Sequence, residues 1–142
     1  MIDVSFAAAD RPRAQLARQF AFIGSVADFA ALGDVPRTVP AAYVIPLDER
    51  AEPNDLIGLN GQTHTATLGV VLIVRYAGDA SGTKATLALG PLRQAVQNAL
   101  VGWSPTALDD AMQFSSGSLA EFMEGGAVAW RDDFTLRRRY VR

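Results

Sequence analysis

The sequence predicts an α+β domain of two layers, in which helices pack on one face of a mainly antiparallel sheet and an extended β-hairpin arm or long loop projects from it. Three observations predict it. Thr63–Tyr76 reads Thr-His-Thr-Ala-Thr-Leu-Gly-Val-Val-Leu-Ile-Val-Arg-Tyr, β-branched almost throughout and apolar at every position from Val70 to Val74, as suits a mid-sheet strand covered on both faces. Leu89, Leu92, Val96, Ala99 and Leu100 make one apolar stripe at helical spacing, with Arg93, Gln94, Gln97 and Asn98 on the wet side. In the last strand Trp130, Phe134, Leu136 and Tyr140 share one parity and Arg131, Asp133, Arg137 and Arg139 the other, the division of a half-buried strand.

The remaining elements follow in order. Asp10 with Pro12 close behind starts a helix running to about Gln19, and Phe20–Ile23 reads as a short strand broken by Gly24 and Ser25. Ser25 and Asp28 resemble a capping box opening a short helix, Val26–Leu32, that stops at Gly33; Gly33–Pro36 is a turn. Pro40–Leu47 is a strand whose Pro46 lacks a ladder donor, which predicts an edge or strand-end position. Asp48–Gln62 is loop-like in composition yet lies between two strands, so it is either a long functional loop or a hairpin arm. At about 3.3 Å per residue Thr63–Tyr76 spans about 45 Å, enough for one end to project beyond the core. The main helix covers about Ser81–Leu100, and Gly90-Pro91 is expected to kink or split it. Gly125-Gly126 turns a final hairpin, Met112–Phe122 with Val128–Val141.

Composition narrows the possible functions. With 142 residues, 49% hydrophobic and 20% charged, the chain fits a single domain over residues 1–142. Without cysteine there are no disulfides, thiolate metal sites or cysteine nucleophiles. A net charge of −2 and a pI near 5.3 argue against a broad nucleic-acid-binding surface. No apolar run approaches a membrane span and the N-terminus lacks the pattern of a secretion signal, so synthesis in the cytoplasm and no membrane contact are expected.

Little in the chain suggests catalysis. His64, the single histidine, sits among threonines and reads as a polar residue at a strand start. Asp132 and Asp133, adjacent on a strand, point to opposite faces and cannot converge on one ion. Asp109-Asp110 reads as a solvated loop, and Gly78 and Gly82 lack the lysine of a phosphate loop. No catalytic, metal-binding or cofactor-binding residue is assigned. Arg137-Arg138-Arg139 with Arg142 is the one basic run; it either contacts DNA phosphates or an acidic protein surface, or balances the charge of a solvated strand. Trp103 and Trp130 read as core anchors, with an interface role open for Trp103.

Several motifs, in order, resemble one family, the tail terminator proteins of tailed bacteriophages and related phage-like particles such as gene transfer agents. They are Pro40–Leu47 with Glu52-Pro53-Asn54 after it, Gln62 leading into the long strand, and Gly78-Asp79-Ala80 turning into the helix. Gly102-Trp103-Ser104-Pro105, Gln113-Phe114-Ser115-Ser116-Gly117 and Trp130-Arg131-Asp132-Asp133-Phe134 follow. The resemblance implies a non-enzymatic virion protein forming a hexameric ring on the head-proximal end of the tail tube. Such a ring ends tube polymerisation and offers the surface for neck or head joining. Its partners are copies of itself, the tail tube protein and a neck or head-completion protein, while DNA passes through the lumen without specific binding. Glu52, Pro53, Asn54, Asp55, Leu56, Ile57, Leu59, Gln62, Trp103, Arg137 and Arg139 are the expected interface residues. Another neck, connector or tail-completion component is the alternative, and a small α+β enzyme with no recognisable motif the second.

Overall fold

The computed structural model describes residues 11, 14, 16, 18–32, 36, 38–122 and 124–142. Its elements in chain order are β1 (Phe22–Gly24), α1 (Val26–Ala30), β2 (Ala41–Ala51), β3 (Gly61–Val74), α2 (Thr83–Leu100), β4 (Gln113–Phe122) and β5 (Val128–Val141), with a short 3₁₀ turn at Glu124–Gly126 before β5. The strands form one sheet in the order β1-β2-β3-β5-β4, parallel between β1 and β2 and antiparallel elsewhere. This is the predicted α+β, mainly antiparallel architecture. β3 lies in the middle, as its apolar run requires, and pairs with β5 along its whole length, from Gly61 opposite Val141 to Val74 opposite Val128.

Alternation along the strands makes two apolar layers. On one face Val44, Leu68, Val70, Leu72, Val74, Phe134 and Leu136 pack against Leu89, Val96 and Leu100 of α2, with Trp103 and Trp130 at the margin. On the other, Ala41, Tyr43, Val71, Ile73 and Ala129 form a smaller cluster with Leu32 and Ile45. α1 lies over this second face, where the Phe29 ring stands 5.5 Å from that of Tyr43. α2 occupies the expected helix face together with buried Leu16 and Phe20, whereas α1 lies on the other; Tyr43, opposite in parity to Ala42 and Val44, is the apolar group that α1 covers.

Most boundaries fall close to their predicted places, and two features differ for physical reasons. β2 continues four residues past Leu47 to Ala51, although Asp48-Glu49-Arg50 has a loop composition, because Asp48–Ala51 pairs with Thr67–His64. Pairing with an already formed strand overrides local propensity there. Pro46 sits beside the bulge between Pro46 and Asp48, beyond the reach of β1, which is the edge position expected of it. α2 is one continuous helix through Gly90-Pro91, so the chain is not split there. Pro91 and Leu87 are exposed, and the Leu87 carbonyl that loses its i+4 donor faces the wet side, where water can replace it.

Capping explains how two helices begin. Asp28 accepts from the Ser25 amide at 2.8 Å and the Ser25 hydroxyl at 3.1 Å. Asp79 accepts from the Ala85 amide at 3.1 Å, and Gly82, at φ +73°, turns the chain into α2. Of the predicted first helix, Arg11, Ala14 and Leu16 are helical, and the amides of Gln19 and Phe20 donate back to the Leu16 carbonyl. Asp10 and the predicted turn and helix stop at Gly33–Val35 lie outside the described residues.

Candidate assembly surface

The sheet divides into a core half and an arm. β4 reaches no further along β5 than Thr135, so the outer parts of β2, β3 and β5 continue as a three-stranded ribbon. β5 thus widens the expected hairpin arm. Residues 52–60 close its tip.

This tip is a built loop. The Asn54 carbonyl oxygen accepts from the amides of Leu56 (3.0 Å) and Gly61 (2.7 Å), while its amide group donates to the carbonyls of Leu56 (3.0 Å) and Leu59 (3.1 Å). All its hydrogen-bonding capacity in the loop is used, which makes it the organiser of the turn. Asn60 and Arg142 exchange backbone hydrogen bonds of 2.7 and 2.8 Å, and Gln62 donates to the Glu52 carbonyl at 3.2 Å. Arg139 forks onto Asp55, at 2.8 Å from Nη1 to Oδ2, and also reaches Thr63. That bond from Arg139 holds the Asp55 carboxyl below the ordinary carboxylate range, and Asp55 in turn raises Arg139. Gly61 has no side chain because Leu56 and Arg139 close over it; a Cβ there would stand 2.6 Å from each. The result is an ordered loop that presents Ile57 fully to solvent and leaves Leu59 56% exposed. Apolar side chains held out on an ordered loop suit contact with another protein surface.

The sequence matches the family described as phage tail terminator protein over residues 2–141, almost the whole chain. The chain belongs to the phage tail terminator family. No curated protein matches it. Among solved structures, a chain of the "Virion of native gene transfer agent (GTA) particle" is similar at a TM-score of 0.48 and 17% identity, over 98% of this chain and 92% of that one. As a tail terminator family member, the protein is a structural component of a phage tail and belongs to the virion.

In this tail terminator the expected interface residues fall into two groups. Glu52, Pro53, Asn54, Asp55, Leu56, Ile57, Leu59, Gln62 and Arg139 come together at the arm tip, with exposed Arg137 two residues along β5. Trp103 stands apart, half-buried against the main core, its amide bonded to the Leu100 carbonyl and its ring 5.3 Å from the Arg11 guanidinium.

The basic run is partitioned by strand alternation. Arg139 serves the arm tip, whereas Arg138, on the α2 face, pairs with Asp109 at 2.8 Å from Nη2 to Oδ2. Asp109 is buried and also accepts from Thr106, so it is a structural anchor and not the solvated loop residue expected; the Arg138 partner makes its burial tolerable. Asp110 is exposed.

Asp132, Asp133 and His64 also have structural partners. Asp132 and Asp133 point to opposite faces as expected, Asp132 to Arg93 and Trp130, Asp133 to Arg131. His64 lies 3.3 Å from Glu49, with its ring 4.5 Å from that of Tyr140. Among the described residues no three His, Asp or Glu side chains gather where they could hold a metal ion, and no helix is long and apolar enough to cross a membrane.

Sequence reasoning missed β4 as a surface. Its alternation was visible, but its lateral position is not encoded locally. It is the outermost strand, and all ten residues are exposed.

Proposed function

We propose that this protein assembles as a hexameric ring on the head-proximal end of the tail tube, where it ends tube polymerisation and presents the surface for neck or head joining. The observation that carries this reading is the arm tip, an ordered loop holding Ile57 and Leu59 in solvent, in a chain of the tail terminator family. A head-to-tail ring needs two different complementary patches on each subunit. The arm supplies one of them, through Glu52–Leu59 with Gln62, Arg137 and Arg139, directed at a neighbouring copy or at the tube protein. DNA passes through the lumen without specific binding, in keeping with a chain of net charge −2 whose Arg138 and Arg139 are already paired. The protein acts through these contacts and not through catalysis.

The test is extension of tail tubes with fresh tube protein, viewed by negative-stain microscopy. With this protein present, tubes stop growing and show an added ring at one end. Unhindered elongation without a ring overturns termination. Capping that survives deletion of Asn54–Gly61 overturns the arm's role.

A further inference from the structure

The two borders of the sheet differ. On one side β1 covers β2 only at Ala41–Tyr43, leaving Ile45–Ala51 as an edge. That edge carries a proline and three charges, Pro46, Asp48, Glu49 and Arg50, which restrict pairing there to a strand that brings few charges of its own. On the other side β4 is outermost over its whole length. It contains no proline, lysine or arginine and one charge, Glu121. Phe114, Leu119 and Phe122, on the α2 face, are 39%, 55% and 53% exposed. Two irregularities in its pairing with β5, between Phe114 and Ser116 and between Leu119 and Glu121, bend this border without charging it. A strand of this length and composition, with β5 on one side and no strand among the described residues on the other, is a template for one more strand.

We propose that β4 pairs with the outer half of β2 from a second copy, so that the sheet continues from subunit to subunit. The inference rests on the ring reading above and names the contact that builds it.

Chain direction selects this partner. β4 is antiparallel to β5, β5 to β3, and β3 to β2. A second copy in the same orientation therefore brings its β2 antiparallel to β4, the more stable pairing, with no subunit inverted. The extent of β1 confines the incoming strand to the outer half of β2, and Pro46, without a donor, limits the ladder to Leu47–Ala51. Register parity sets both Asp48 and Arg50 on the face that also carries Ser116, Ser118 and Glu121. Because two different edges are used, the contact is heterologous and closes into a ring or runs on as a helix, with every arm on the same side. Pairing of β4 with β4 across a two-fold axis would instead set the two arms in opposite directions and stop at a dimer.

The absence of cysteine makes the contact directly testable. Ser116 and Ser118 of β4 lie on the same sheet face as Asp48 and Arg50 of β2. Four double variants, each joining Ser116→Cys or Ser118→Cys to Asp48→Cys or Arg50→Cys, are assembled on tubes, oxidised and run on a non-reducing denaturing gel. At least one should give a ladder from two to six chains that dithiothreitol collapses, while each single variant stays at one chain. Rings in the micrographs with no ladder from any pair overturn the strand contact and leave the ring reading standing. Covalent dimers from Ser118→Cys alone overturn it in favour of the two-fold arrangement. Tubes that extend without rings remove both.

Discussion

Arg93 and Asp132 join the long helix to the last strand. Arg93 Nε lies 3.1 Å from both carboxylate oxygens of Asp132 and Nη2 lies 3.0 Å from one, while Asp132 is wholly buried and also accepts from Trp130 Nε1 at 2.9 Å. The guanidinium stacks 4.5 Å from the Trp130 ring, and Gly117 of β4 leaves room for the group, since a Cβ there would stand 2.5 Å from Asp132 Oδ1. Removing Asp132 takes the charged partner from Arg93, whose side chain is 29% exposed, and leaves the Trp130 indole N–H without its acceptor. Asp132→Ala should therefore cost about 1.5–3 kcal/mol, read as the shift of the urea unfolding midpoint. A cost near zero would show that Arg93 reaches water without it.

Pro91 gives a prediction of opposite sign. It interrupts the hydrogen bonding of an exposed helix turn, and a Cβ added at neighbouring Gly90 meets nothing within 4 Å. Pro91→Ala should raise stability by about 1–3 kcal/mol and Gly90→Ala by about 0.5–1 kcal/mol, measured by urea unfolding. Destabilisation by Pro91→Ala would mean that the proline serves the geometry of the helix.

Acid should weaken the anchor between the loop after α2 and β5. Burial pushes the Asp109 carboxyl up, but hydrogen bonds from Arg138 and Thr106 outweigh it and hold it below the ordinary range. A carboxyl depressed in the folded state contributes stability that is present above its unfolded value of about 4 and lost as pH falls through the folded value. Asp109→Asn should therefore be less stable than the parent at neutral pH. The gap in thermal midpoint should stay constant down to about pH 5 and narrow below about pH 4. A gap that widens in acid contradicts the pairing.

The long strands, the main helix and the alternation of β5 were legible because hydrophobic periodicity is written in consecutive residues. Family membership was legible as well, through motifs in order from Pro40 to Phe134. What local pattern could not carry was lateral arrangement. Asp48–Ala51 has a loop composition and becomes strand only because His64–Thr67 lies beside it. Arg138 and Arg139 look like one basic run, yet the period of two sends one to Asp109 and the other to Asp55. The placement of α1 over Tyr43 and the unpaired border of β4 likewise follow from strand order, which no short segment encodes.

At the arm tip, stability and assembly should separate. Asn54→Ala removes the acceptor of the Leu56 and Gly61 amides in an exposed loop. It should speed hydrogen exchange at those two amides while changing global stability by no more than about 1 kcal/mol. Ile57→Asp touches no core residue and should leave the melting temperature within about 1–2 °C, yet abolish tube capping in the extension assay. A capping-competent Ile57→Asp protein would place the working contact elsewhere.

The most direct measurement is cryo-electron microscopy of tail tubes capped by this protein, with reconstruction of the capped end. The account predicts one ring of six copies at one end only, with every arm on the same side and the Ile57 tip buried against a neighbour or the tube. Copies distributed along the tube wall, or a ring whose arm tips stand free in solvent, would contradict it.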